Sequence, residues 1–495
     1  MNFKTKFFII SFIEGACVMA SEICGAKLLS PFFGSSLYVW SAVMAITLGG
    51  LASGYFIGGK LSRGENKQSL LFSILVIAFS FLAIMPFLSN YIYVIAFRFS
   101  LIPAVVISTI GILFPCMLLM GLTSPLLVSL LTVNVTDSGL YTGKVYSIST
   151  LGGIFSTFLC GFYLIPLIGI SYTLLIFSAS LALASLLLLK KSKQDLTLFV
   201  LIVFAISFVS LTHLPKRKNC IVTQDGILGK IEVVDEKQNE QVSYRKLFVN
   251  NILQSEMNLK TKQSTFDYIR VLEKNLPFFP KGKALVMGIG GGLALNMLKQ
   301  NEYEVVGVEF DERIIAVAKK YFYLNTSIQT ICADARQYIN TNKIKYDLVM
   351  FDVFKAEEQP SYVLTLESLK LIKAFLNPNA ILLINTHGYV EGTIGMGTQC
   401  LIATLKKSGF NVKICTDKHN PDYRNLLIIA SAKQITKTLA FELNFKVEVN
   451  DLLNTDDKPV FEKLNAEANQ AWRLNYLKNY LFYKPFFYYI CSAEY

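Results

Sequence analysis

The stretch VMGIGGGLA puts Gly288, Gly290, Gly291 and Gly292 between an apolar run that reads as a strand and LALNMLKQ, which reads as a helix. At such a junction the backbone turns sharply and comes close to a ligand, so a side chain is a liability. Glu309 ends the next apolar run, EVVGVEF, 21 residues after Gly288, where a carboxylate can accept both ribose hydroxyls. Asp334 ends a third run, IQTICAD, at the position that in such sheets reaches an adenine amino group. Asp352 ends a fourth, YDLVMFDV. Behind an apolar strand its carboxyl would be partly desolvated and its pKa raised, as a general base requires. Either aspartate alone could instead cap a helix. Three acids at three neighbouring strand ends argue for one shared pocket.

The elements that must hold these residues alternate. From ALVMG (284–288) onward, five strand-like runs are each followed by a helical one, down to AILLINTH and TQCLIATLKKSG. Such alternation gives a doubly wound parallel sheet. NVKICTD and NLLIIASA close the series with only a turn-like loop between them, so they must run antiparallel, because a parallel return needs a crossover of a dozen or more residues. Six strands and an antiparallel seventh outline a Rossmann-like α/β domain of the S-adenosylmethionine methyltransferase type, expected over 261–435. Before it, GKIEVVDEKQNEQVSYRKLFVNNILQSE reads as a small antiparallel β-unit of two or three strands within 220–260.

Residues 1–213 have another character. Apolar stretches near 7–29, 37–59, 69–88, 101–122, 146–166, 169–189 and 196–213 are each long enough to cross about 30 Å of hydrocarbon as a helix. The reading is a multi-pass helical membrane domain of about seven spans. Basic clusters at 4–6, 60–67 and 190–193 fall on one side if the N-terminus is cytoplasmic. An odd count would put the soluble half outside, against the basic PKRKN at 215–219, so one span is suspect; the stretch 102–132, interrupted by GLTSP, is the candidate for a re-entrant pass. Glu14, Glu22 and Lys27 lie inside the first span and are expected to face the bundle interior or to pair. The small-residue runs LGGLASGYFIGGKLSR and STLGGIFSTFLCGF suit close helix packing. The tail, 436–495, ends in an aromatic and basic stretch from Trp472 that could lie at a membrane interface or dock on the soluble domain.

Composition narrows the functions. Only 17% of the 495 residues are charged and the mean hydropathy is +0.45. The net charge of +12 divides equally between the two halves, which fits loops facing anionic lipid better than a nucleic-acid surface. Nine cysteines without a CxxC pair and three dispersed histidines, His213, His387 and His419, give no disulfide framework and no metal site. No cleavable signal peptide is evident.

Residues 226–390 resemble the spermidine synthases, the polyamine aminopropyltransferases. The likeness is carried by GKIEVVDE, by LFVNNILQSE with Gln254, by FDYIRVLE with Tyr268, and by the glycine, Glu309, Asp334 and Asp352 segments. The N-terminal half resembles the transporter-like part of bacterial fused membrane proteins that carry such a domain, and the likeness spans about 10–430. The resemblance implies aminopropyl transfer from decarboxylated S-adenosylmethionine to a polyamine or other amine acceptor, with Asp352 accepting the amine proton and no metal. It implies an integral membrane protein of the bacterial inner membrane with a cytoplasmic soluble domain and, as partners, an amine, the lipid bilayer and a second copy of the chain. Three positions depart from the family: Gly291 and Lys355 stand where it has aspartates, and Ile269 where it has histidine. Glu357 and Glu358 could replace a lost carboxylate. Two other readings stay open: transfer from intact S-adenosylmethionine to another acceptor, and a transporter or sensor with a non-catalytic nucleoside-binding domain.

Overall fold

The computed structural model of the chain describes residues 3–33, 37–96, 101–188, 217–224, 229–238, 241–354, 360–417, 425–443 and 452–469, with scattered single residues between and after them, including Trp472 and Tyr476. Lys355, Glu357 and Glu358, the basic flank at 190–193, most of 196–213 and nearly all of the tail beyond Trp472 lie outside the described residues. The chain divides into two units, Met1–Lys216 with Gln224–Lys230, and Arg217–Thr223 with Ile231–Tyr495.

The first unit is helical: α1 (Phe3–Phe33), α2 (Leu37–Leu61), α3 (Lys67–Ala96), α4 (Leu101–Leu131), α5 (Ser138–Leu159) and α6 (Ile165–Leu186), the last two joined by a π-helical turn over Cys160–Leu164. Five helical stretches among the described residues are long and apolar enough to cross a membrane. The fifth, Val135–Leu186, has 52 residues, more than twice what a bilayer core needs. Its backbone leaves helical geometry at Gly169 (φ 81°, ψ 175°), so it supplies both stretches read at 146–166 and 169–189. The expected interruption at GLTSP does not occur: α4 runs through Pro115 and Pro125. Just before Pro125 the Thr123 hydroxyl donates to the Met120 carbonyl at 2.7 Å, the kind of local bond that lets an apolar helix tolerate proline.

The small residues do pack helices closely. A Cβ on Gly15 would lie 1.9 Å from the Ser149 carbonyl oxygen and one on Gly152 2.0 Å from that of Phe12, so α1 and α5 touch backbone to backbone. Gly54 and Gly121 do the same for α2 and α4. Glu14 is buried against α5, where the Ser149 hydroxyl donates to its Oε2 at 3.0 Å. Glu22 and Lys27 are half-buried.

The second unit opens with a four-stranded sheet, β1 (Cys220–Gln224), β2 (Ile231–Gln238), β3 (Gln241–Val249) and β4 (Ile252–Asn258), in that spatial order and one strand larger than the sequence reading. Then follow α7 (Asp267–Asn275), β5 (Lys283–Met287), α8 (Leu293–Gln300), β6 (Glu304–Glu309), α9 (Glu312–Tyr321), β7 (Gln329–Cys332), α10 (Ala335–Thr341), β8 (Tyr346–Phe351), α11 (Leu366–Ala374), β9 (Leu376–His387), α12 (Met396–Lys407), β10 (Asn411–Cys415) and β11 (Asn425–Ser431). The last seven strands form one mixed sheet in the order β10-β11-β9-β8-β5-β6-β7. Strand β11 is antiparallel to both neighbours, β9 and β10, as the short closing loop required.

The central strands β5, β8 and β11 are largely apolar because side chains on both faces are buried, while the edge strands β7 and β10 carry polar residues. Leu285 and Met287 of β5 enter one core with Val349, Phe351, Leu382 and Ile384; Ala284 and Val286 enter the other with Leu348, Met350 and Leu383. Residues after 435 belong to this unit as well. Phe461 is buried in the first of these cores, and buried Asn454 donates to the Ser361 and Leu364 carbonyls.

Candidate active site

The chain passes from β5 to β6 and β7 on one side of the sheet and then to β8 on the other, so β5 and β8 bound a topological switch point. Gly288 follows β5 and Asp352 follows β8. At φ +90° Gly288 holds a conformation that L-residues rarely adopt, and a Cβ there would lie 2.2 Å from the Asp352 carbonyl oxygen. Glycine is therefore required where the two strand ends meet.

The rest of the loop is held from two sides. The Gly291 N–H donates to the Ser255 hydroxyl of β4 at 2.8 Å, and Gly290 (φ +52°) faces the same hydroxyl. Gln254, half-buried beside Ser255, has its carbonyl oxygen 4.0 Å from where a Gly290 Cβ would sit. Gly292 (φ +75°) caps α8 in the left-handed region. From β6, Glu309 accepts the Ile289 N–H on Oε2 (3.0 Å) and those of Phe310 and Asp311 on Oε1 (2.8 and 3.1 Å). Its carboxylate thus ties the loop to β6. Burial pushes its pKa up and these three donors oppose the shift.

Asp334 follows β7, which is tied to β6 by the Ala333 N–H donating to the Glu309 carbonyl. Its Oδ1 caps α10 through the Arg336 and Gln337 N–H groups (2.9 and 3.0 Å), the helix-cap role weighed from sequence. Its Oδ2 accepts the Tyr362 hydroxyl at 3.0 Å.

Asp352 is held by two side-chain donors. Tyr268 of α7 donates its hydroxyl to Oδ2 at 2.7 Å, and Asn385 of β9 donates its amide to Oδ1 at 2.7 Å. Burial raises the carboxyl pKa, opposed by the Asn385 and Tyr268 hydrogen bonds. A carboxylate held by two donors keeps further lone pairs for a proton, and an upward shift is the direction a general base needs.

The two departures in the described residues are packed in. A Cβ on Gly291 would lie 2.9 Å from Ser255 Cβ and 3.0 Å from a Phe322 ring carbon, so an aspartate has no room without movement. Ile269 is buried in the core beside α7's neighbours.

The structure sets Tyr268 on Asp352 and Glu309 on the glycine loop, with Gln254 near that loop and Asp334 at the next strand end, and adds beside them Asn385, Ser255 and Tyr362, which the sequence reading did not name. Asn385 left one legible signal, a polar residue inside the apolar run AILLINTH. A buried amide in a central strand needs a partner. His387 ends the same strand, with its ring 4.9 Å from Phe354 and stacked on Trp472 at 5.2 Å.

No family model matches the chain. A polyamine aminopropyltransferase of Vibrio vulnificus is 33% identical over 135 residues, 25% of this chain and 44% of that protein. A probable polyamine aminopropyl transferase of Bifidobacterium longum is 28% identical over 111 residues, 22% of this chain and 25% of that protein. The chain therefore spans less than half the length of these relatives. Among solved structures, a probable spermidine synthase from Corynebacterium glutamicum is similar over 45% of this chain and 81% of its own, at 16% identity and a TM-score of 0.38.

Proposed function

We propose that the second unit is a group transferase of the spermidine-synthase type, moving an aminopropyl group from decarboxylated S-adenosylmethionine to an amine. The observation that carries this reading is the Asp352 carboxylate, held between Tyr268 and Asn385 beside the Gly288 turn. A glycine loop that a Cβ would block, with carboxylates at the next two strand ends, fits an adenosine: Glu309 would take the ribose hydroxyls and Asp334 Oδ2 the adenine amino group in exchange for Tyr362. Gln254 and Tyr268 would flank the transferred chain and the incoming amine.

In the reaction the amine nitrogen attacks the aminopropyl carbon next to the sulfonium. The new C–N bond forms as the C–S bond breaks, and its electron pair leaves on sulfur, giving neutral methylthioadenosine. The nitrogen's surplus proton passes to Asp352. A sulfonium leaves without acid assistance, so the protein's task is to orient the amine and take its proton.

The first unit, on this reading, anchors the transferase in a bilayer, the bacterial inner membrane, with the second unit on the cytoplasmic side. The five long apolar stretches support it. An acceptor or product that enters or crosses the membrane gives such anchoring a purpose, and a homodimer accords with the reading.

Calorimetric titration of the detergent-purified full chain tests the function. Tighter binding of decarboxylated than of intact S-adenosylmethionine, with methylthioadenosine formed on adding amines, supports it. Preference for the intact form would shift the reading to another group transfer, which Gly291 in place of the family's aspartate favours. Binding of neither at millimolar concentration would sink both and leave the transporter reading.

A further inference from the structure

Within the first unit one acid stands among neutral neighbours. Glu14 lies in the apolar stretch Lys4–Ser30, about 15 Å along the helix from its basic end, half the depth of a hydrocarbon core. It is 1% exposed. The Ser149 hydroxyl of α5 donates to its Oε2 at 3.0 Å. Thr123 of α4 faces the same carboxyl. The Thr123 proton, however, goes to the Met120 carbonyl at 2.7 Å, so what it turns to Glu14 is a lone pair. The titratable groups within reach of the Glu14 charge are Tyr55 of α2, Tyr146 of α5 and Cys17, one turn on in α1. Among the described residues no lysine, arginine or histidine pairs with it. An ionised carboxylate so placed in lipid has no counter-charge. It must take a proton or a cation from outside the chain.

Approach is from the side of α2 and α5. Ser149 and Tyr55 are half-buried and Tyr146 is 39% exposed. The Tyr55 and Tyr146 rings meet edge to face, 5.9 Å apart at 82°, which ties the two helices at the level of Glu14. We propose that Glu14, Ser149, Thr123 and this tyrosine pair form a cation-exchange site that gives up a proton for a primary ammonium. An –NH₃⁺ group has three donors and no acceptor, and the Glu14 carboxylate and the Ser149 and Thr123 oxygens can accept them. Its charge and carbon body can also lie against a tyrosine face. Sodium, which needs a shell of oxygens, gains nothing from the rings. The inference is independent of the transferase reading and rests on the placement of the first unit in a bilayer.

Dicyclohexylcarbodiimide, an apolar reagent that adds to protonated carboxyls, reads the site. The detergent-purified full chain is treated with it, and the Glu14 peptide left unreacted is counted by mass spectrometry, so that any coupling to an added amine is not mistaken for protection. Glu14→Gln serves as the blank. The expected result is consumption of Glu14 that ethylammonium chloride slows at least about fivefold more than equal sodium or tetramethylammonium chloride. Changing Tyr55 and Tyr146 together to leucine should remove that protection and leave the labelling itself. Ser149→Ala, which keeps the close contact of α1 and α5 and deletes one oxygen, should weaken it several-fold. Labelling that ethylammonium does not slow, or that sodium slows equally, overturns the ammonium site. No labelling of Glu14 overturns the proton exchange as well. Carbonate washing of membranes tests the bilayer placement separately, and release of the chain would overturn that placement whatever the carbodiimide shows.

Discussion

The acid at 352, the base of the proposed transfer, is buried at a cost to its own charged form. Burial raises its pKa, so the folded chain binds a proton there more readily than the unfolded chain does. The sign follows: the favourable contribution of this group is complete below the unfolded carboxyl value and is lost as pH rises through the folded one. Asp352→Asn should then leave thermal stability at neutral pH unchanged or higher while lowering turnover by a factor of about 100 or more. Paired melting and methylthioadenosine assays check this, and a melting temperature that falls with activity would reduce Asp352 to a structural role. Tyr268→Phe makes a subtler test. The Tyr268 hydrogen bond holds the Asp352 pKa down, so its loss should carry the acid limb of the kcat/KM profile to higher pH. An unmoved limb would mean that the base is another group. Asp352 was legible because it ends an apolar run. Its partner Asn385 was less so, since what joins them is the pairing of β8 with β9, and the sequence carries no register for two parallel strands 33 residues apart.

Elements were read well where a chemical rule left one outcome. The loop after β10 is too short for a crossover, so β11 had to run antiparallel, and it does. The glycine loop followed from its place between strand and helix. Its reason for being glycine is tertiary: Gly288 meets the backbone of Asp352 and Gly291 meets Ser255 and Phe322. Gly288→Ala should cost at least about 2 kcal/mol of stability, since it combines a left-handed φ with a backbone clash. Chemical denaturation measures it, and a loss under about 0.5 kcal/mol would mean the two strand ends are not held together. Helix α4 was misread for the opposite reason. Gly, Thr, Ser and Pro in GLTSP are breakers in water, but in an apolar bundle hydroxyls such as that of Thr123 bond to the helix's own carbonyls and the helix continues. The tail was undecided from sequence because aromatic and basic residues suit a membrane interface and a protein groove equally. Trp472 and Tyr476 stack within the second unit, where the partners are His387 and the backbone of β4.

At the scale of the whole molecule, the proposed anchoring makes a prediction about the side of the membrane that the second unit faces. The basic flanks in the sequence, PKRKN among them, argue for the cytoplasmic side, and an odd number of spans would argue against it. Exposed Cys332, at the end of β7, offers a direct reading. With Cys220 and Cys491 changed to serine, the remaining cysteines of the described residues are buried, leaving Cys332 as the accessible thiol. Slight desolvation and the nearby carboxylates of Glu312, Glu309 and Asp311 raise its pKa, so the thiolate fraction is small at neutral pH and labelling belongs at alkaline pH. A membrane-impermeant maleimide should leave Cys332 unmodified in intact cells and modify it in inverted vesicles, if the pocket draws decarboxylated S-adenosylmethionine from the cytoplasm. Labelling in intact cells would put the pocket outside, away from a source of that nucleoside. It would break the transferase reading at its supply of substrate while leaving the geometry of Asp352 intact.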